Sequence, residues 1–238
     1  MRHFGRALVP TAFDFGTQGQ RPSHPALLDW LAVEFMERGW SLKALHRLIV
    51  TSATYRMDST PDPAALAVDP EDKVLWRVAP RRLEAEAVRD AVLYVTGRLD
   101  PARGGPELDE GRGLDARRRS LYFRHNPEKR VEFLAIFDGP SASECYARTH
   151  TIVPQQALAL LNSALALDGA AALAGALSKE APDAGAFITA AVETVLSRPP
   201  TPEEREACSA FLAAGDPARA RATLVHALLN HHEFVTIR

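Results

Sequence analysis

The sequence predicts a mainly α fold: a helical domain with one short β-hairpin. Three observations point there. Apolar residues recur three and four positions apart over several long stretches. Those stretches open on a capping Ser, Thr or Asp, often with proline one or two positions on, as in Ser23–Pro25, Thr201–Pro202 and Asp216–Pro217. Strand-like patterning is confined to residues 118–138. At 238 residues the chain can fill a core without disulfide or metal staples. The reading is a single domain over 1–238, divisible into a helical half, 1–100, and a hairpin-plus-helix half, 115–238.

In order along the chain, Ser23 is expected to cap a helix with Pro25 in its first turn, Leu27, Leu28, Leu31 and Phe35 on one face, and Gly39 at its end. Ser41 starts the next helix, with Leu42, Leu45, Leu48 and Ile49 as its stripe. So short a link makes the two a hairpin or corner, to which Trp30 and Trp40 add. Residues 57–73 are rich in Pro and Asp and read as turns. Arg81 to Val95 reads as a helix with Leu83, Ala87, Ala91, Val92 and Val95 inward. The Gly-rich stretch 96–113 lacks the Gly-Lys-Ser/Thr ending of a phosphate loop and reads as a flexible connector. "RRSLYFRH" alternates Leu121 and Phe123 with polar residues and pairs in this reading with "VEFLAIFD", which could equally be a short helix. Pro154 opens a helix with Leu158, Leu161 and Leu165 inward, extended by Ala-rich sequence with a possible break at Gly169. Thr201 with Glu204 forms a capping box.

Composition removes several function classes. A net charge of −2 gives no basic field for nucleic acid, and Arg117, Arg118 and Arg119 are too few for a footprint. No apolar run is long enough to span a membrane, and the first residues lack the apolar core of a secretion signal. Two cysteines, Cys145 and Cys208, allow no Cys-x-x-Cys motif. His226, His231 and His232 are spaced poorly for a helical metal pair, so no metal site is assigned. Cys208 reads as a small buried apolar residue, and His46 as an interface residue.

Chemistry concentrates in one region. Tyr122, Arg124, His125, Asp138, Cys145, Arg148 and His150 fall within thirty residues, at and beside the strand ends where scaffolds display functional groups. Val153 cannot cap the helix that follows, whereas Thr151 could. If Thr151 does not, the first N–H groups, at Gln155, Gln156 and Ala157, make an anion site beside Arg148 and His150. The competing structural reading is an internal ion pair of Arg148 with Asp138 or Glu144. Cys145 with His150 has the residue types of a thiol nucleophile and its base, but no orienting group accompanies them. The preferred function is a non-catalytic module that docks on other domains or binds an anionic ligand. The alternative is a hydrolase or redox enzyme around Cys145 and His150.

Five segments, "HFGRALVPTAFDFGTQGQRPSHPALLDWLAVEF", "WSLKALHRLIVTSATYR", "RRSLYFR", "TIVPQQALALLNS" and "LVHALLNHHEF", occur in an order that resembles one family. It is the C-terminal domain of unknown function in large planctomycete proteins that often carry a cytochrome-c-like domain. The resemblance runs over essentially the whole chain. It implies a module of a longer, exported, cell-envelope protein, of which this chain is a truncated or fragmentary member. It implies upstream domains of that protein as partners, and haem only in one of those domains, none in this chain. The association of such proteins with sulfatase-like and polysaccharide-degrading proteins implies acidic or sulfated carbohydrate as a ligand. The family supplies no catalytic residues to transfer.

Overall fold

The structure, a computed structural model, describes residues 1–11, 14–141, 148 and 151–237. It is mainly α with one two-stranded antiparallel sheet. The chain divides into two compact units, Met1–Arg81 with the last residues of the chain, and Arg82–Thr236. The strands are β1 (Arg81–Arg82) and β2 (Thr236–Ile237), so the sheet is closed by segments far apart in sequence, with Leu83 N–H donating to Val235 O.

The first unit holds α1 (Pro25–Glu37), α2 (Leu42–Val50) and α3 (Pro63–Val68). Pro25 is the first residue of α1 as expected, but His24 occupies the cap position and makes no side-chain bond to the helix. Gly39 and Trp40, both at positive φ, turn the chain into α2, whose first turn is capped by Ser41 accepting from Ala44 N–H. The stretch 57–73 is not turns alone: Asp62 accepts from Ala64 and Ala65 N–H and starts α3 with Pro63 at its first position. Among the described residues this unit has no fully buried apolar side chain. Trp40, Leu42 and Val68 are 66%, 62% and 87% exposed.

The second unit contains the core. Its helices are α4 (Ala85–Val95), α5 (Glu132–Ile136), α6 (Pro154–Asn162), α7 (Ala164–Glu180), α8 (Ala184–Leu196), α9 (Pro202–Ala213) and α10 (Pro217–Leu229). The most extensive pairing is α7 with α10. α7 buries Leu165, Ala170, Leu173 and Leu177, and α10 buries Leu224, Val225 and Leu229. α7 runs unbroken through Gly169. That glycine serves close approach, since a β-carbon there would lie 2.9 Å from the Thr96 methyl at the end of α4. α8 adds Phe187 and Ile188, each completely buried and worth about 1.5–3 kcal/mol.

Two expected faces shift. In α4 the buried residues are Ala85, Val88, Arg89, Val92 and Leu93, and the helix starts at Ala85 because residues 81–82 are strand. In α6, Gln156 and Leu160 face inward, while Leu158 and Leu161 are about half exposed. The chain bends by 51° at Ser163, so the stripe of α6 does not continue into that of α7. The region 118–138 holds no strand. Ser120–Tyr122 is a 3-10 turn, Leu121 is exposed while Phe123 is buried, and Glu132–Ile136 is helical, with Phe133 and Phe137 stacked 5.0 Å apart. The Gly-rich stretch is pinned rather than loose. The Arg118 guanidinium lies 3.8 Å from the Tyr122 ring centroid and donates to the carbonyls of Gly104, Pro106 and Ala102. No single described helix is long and apolar enough to cross a membrane.

Cys208 is a partly buried free thiol against the core, its pKa raised by burial and by Glu204. His46 Nδ1 lies 3.0 Å from His3 Nε2. His226 Nε2 lies 3.1 Å from Leu160 O, and His231 Nδ1 accepts from Glu233 N–H.

The C-terminal end of α8 is locked by ions. Arg198 donates two bonds to Glu204 (2.7 and 2.8 Å) and two to Glu233 (2.7 and 3.2 Å), and Glu204 also completes the capping box with Thr201. The Arg198 guanidinium and the Thr201 N–H hold the Glu204 carboxyl down at about 2. A carboxyl so depressed stabilises the fold fully above its unfolded value near 4.5, and that contribution drains away as pH falls toward 2. The expected outcome is a melting temperature that falls between pH 4.5 and 2 in the wild type. In Arg198→Ala it is lower at pH 7, by about 1–2 kcal/mol of stability, and flatter across that window. Calorimetry against pH checks both.

Candidate functional site

Arg89 places the site. It is a fully buried cation on α4, with its burial pulling its pKa down and Asp90 and Asp115 pushing back. Its guanidinium donates to the carbonyls of Gly113 (2.7 Å), Arg118 (3.0 Å) and Ala116, and to Ser120 Oγ (3.4 Å), while lying 4.8 Å from the Phe123 ring centroid. The next residue, Asp90, accepts from Ser120 N–H (2.8 Å) and Ser120 Oγ–H (2.7 Å). The carbonyls of Gly113, Ala116 and Arg118 are therefore taken by a side chain, while Arg117 O accepts from Asp100 N–H (2.9 Å), and the chain leaves Ser120 in a fixed direction. That direction delivers Phe123 to the core and Arg124 and His125 to the surface.

There they line a cleft of about 130 Å³. Its floor is apolar, from Phe123, Val131 and Leu134, and its polar rim is Arg124, His125, Arg130 and Glu86. Arg124 pairs with Glu107 at 2.8 Å in an exposed contact worth little. Arg130 makes no ion pair among the described residues. Glu86, in the first turn of α4, is the only carboxylate among the described lining residues, and it is already bonded: Arg148 donates to its two oxygens at 3.0 and 3.4 Å and lies 3.6 Å from Glu84. Arg148 thus pairs across to α4, not with Asp138.

Asp138 has a different task. At φ +58°, left-handed backbone that a non-glycine residue adopts at a cost, its carboxylate accepts from Thr151 N–H (2.7 Å), Thr151 Oγ1–H (2.8 Å) and, at 3.5 Å, Gln156 Nε2. The Thr151 hydroxyl is consumed there, so it does not cap α6; Val153 sits at the cap position without a side-chain bond. Gln156 is buried and donates to Ile136 O at 3.0 Å, and its Oε1 meets no partner among the described residues. Gln155 is exposed. Asp138 thus binds Thr151 and the Gln156 side chain and does not reach the first backbone N–H groups of α6.

The candidates therefore separate. Arg124 and His125 meet in the cleft, and Arg148 stands behind its rim. Asp138, Thr151 and Gln156 form a separate polar brace. Tyr122 turns toward the Gly-rich stretch, its hydroxyl accepting from Gly104 N–H at 2.9 Å. Cys145 and His150 lie outside the described residues. Arg130 and Glu86 escaped the sequence reading. A strand over 131–138 gave no reason to group Arg130 with Arg124, and Glu86 looked like an ordinary first-turn acid.

Two variants check this frame by urea unfolding. Arg89→Met leaves three buried carbonyls without their donor and is expected to cost about 3–5 kcal/mol. Asp138→Ala removes the acceptor of the brace and is expected to cost about 1–3 kcal/mol, with Asp138→Asn milder because Asn accepts a bond and tolerates positive φ.

No curated protein and no solved structure matches the chain. A family described as PSD1, protein of unknown function (DUF1553), matches over residues 1–212. Most of the chain lies within that match, and the chain belongs to this family.

Proposed function

We propose that this chain is a non-catalytic helical module that binds an anionic group of acidic or sulfated carbohydrate in the cleft beside α5. One observation supports the reading above others. Arg124, His125 and Arg130 surround a small apolar-floored hollow whose only described carboxylate, Glu86, is already neutralised by Arg148. Cations around a partly dry floor favour an anion, and guanidinium groups match the paired oxygens of sulfate or carboxylate. The volume suits one charged group and the edge of a sugar ring. The apolar floor offers the face of that ring a surface to lie on. In this reading the chain works as part of a longer exported protein, docked on domains that precede it and carrying no haem itself; the resemblance of its five segments supports that much.

Arg148 acts through Glu86 rather than by touching the ligand. Retention on immobilised dextran sulfate, against unsulfated dextran, tests the reading. Arg124→Ala and Arg130→Ala are each expected to weaken binding about 5–10-fold. Arg148→Ala is expected to weaken it as well by unmasking Glu86, and adding Glu86→Gln to that variant restores it. Equal retention on neutral dextran, or full retention by the Arg124/Arg130 double variant, overturns the assignment.

A further inference from the structure

The first unit has a partly open cavity of its own, of about 300 Å³, lined by the N-terminal segment and the α1–α2 corner. Ser23 N–H donates to Leu8 O at 2.8 Å and fixes that segment against the start of α1, while Phe4 packs edge-on to Tyr55 at 5.7 Å. The walls are Phe4, Leu8, Leu27, Trp30, Leu48 and Ile49. Arg6, Lys73, His3 and His24 supply its basic and imidazole groups, and no carboxylate lines it among the described residues. The acid nearest those cations, Glu71, is shared between Lys73 (3.2 Å) and Arg6 (3.8 Å) in an exposed cluster, with Lys73 and Glu71 each 63% exposed. An exposed pair of that kind holds its cation weakly, so Lys73 can turn to another carboxylate at little cost.

We infer that this cavity binds a small aromatic carboxylate, its rings between Phe4 and Trp30 and its charge at Arg6 and Lys73. Size sets the body. A dry cavity of about 150 Å³ takes one benzene, so this one takes about two fused rings. Pocket volumes near this value are where ligand sites begin, with apolar walls and a few placed polar groups. Charge sets the head, because two cations face the cavity with no carboxylate in its lining. The cavity shares no lining residue with the cleft beside α5, which lies wholly in the second unit.

The test is titration calorimetry of the full chain at pH 7 with 2-naphthoate, against neutral 2-naphthamide. Saturable binding of one naphthoate per chain is expected, with the amide at least ten-fold weaker. Lys73→Glu, a surface change, is expected to weaken naphthoate about ten-fold. Leu27→Trp, which fills the cavity from a partly exposed position, is expected to abolish it, and Arg130→Ala to leave it unchanged. The absence of saturable heat overturns the inference. So does equal affinity for acid and amide, or indifference to Lys73→Glu. Sedimentation showing a dimer that must dissociate before naphthoate binds would assign the cavity to a second copy of the chain instead.

Discussion

The second unit depends on a buried cation that is satisfied by backbone. Arg89 has no exposed surface, and its hydrogen-bond partners are chiefly carbonyl oxygens, with the Asp90 carboxylate farther off at 3.9 Å. Burying a guanidinium is costly unless its donors are met. Here the cost constrains the path of the chain, because Gly113, Ala116 and Arg118 must each turn a carbonyl toward the fork. Asp90 holds the same segment from the other side through Ser120. The rim of the cleft follows from this. Arg124 and His125 are exposed, mobile types of side chain, yet the backbone that bears them starts from the most constrained point in the unit.

The same logic recurs at two other joints, with different exposure. Arg198 ties the end of α8 to the first turn of α9 and to the segment after α10, using both edges of its guanidinium. Arg148 ties the approach to α6 back to the first turn of α4. Each joins segments that no hydrophobic stripe would register. Leucine stripes set which faces meet, and these arginines set where the connecting chain goes. Arg148 has a second consequence, since by holding Glu86 it decides the sign of the cleft. A cleft with a free Glu86 beside Arg124 and Arg130 would be an internal ion pair and would have little use for an outside anion.

What could be read from the sequence was what is local. Ser41, Thr201 and Asp216 announce their helices because a cap needs only the next three residues. Asp62–Pro63 uses the same device, but among so many Pro and Asp residues it was indistinguishable from a turn. α8 passed unnoticed although Asp183 caps it, because its Ala-rich faces give little contrast between inside and outside. The strand reading of 118–138 failed for a reason no periodicity reveals: Arg118 O goes to Arg89, and Tyr122 O and Arg124 N–H pair with Leu108 of the Gly-rich stretch instead of with residues 131–138. The real strands are two residues long and about 150 apart, beyond any pattern. At the site, Arg124 and His125 were legible as neighbours in sequence. Arg130 and Glu86 join them only through the turn into α5 and the start of α4.

The two units also differ in what holds them. The second places more than twenty apolar side chains below a tenth of their free exposure, while in the first no described apolar residue reaches that level. Burial on that scale makes the second unit a scaffold whose surface groups have fixed positions, which is what recognition of a charged group by two arginines requires. The first unit rests on half-buried contacts, local caps and ring pairs such as Phe35 with Trp40. Apolar walls that fail to close on one another are a weakness in a free-standing unit. They are also the condition for an apolar ligand to gain by entering, because it would cover apolar surface that the unit itself leaves uncovered. The proposed anion and aromatic sites therefore draw on opposite properties: one on rigidity supplied by a filled core, the other on a core left incomplete.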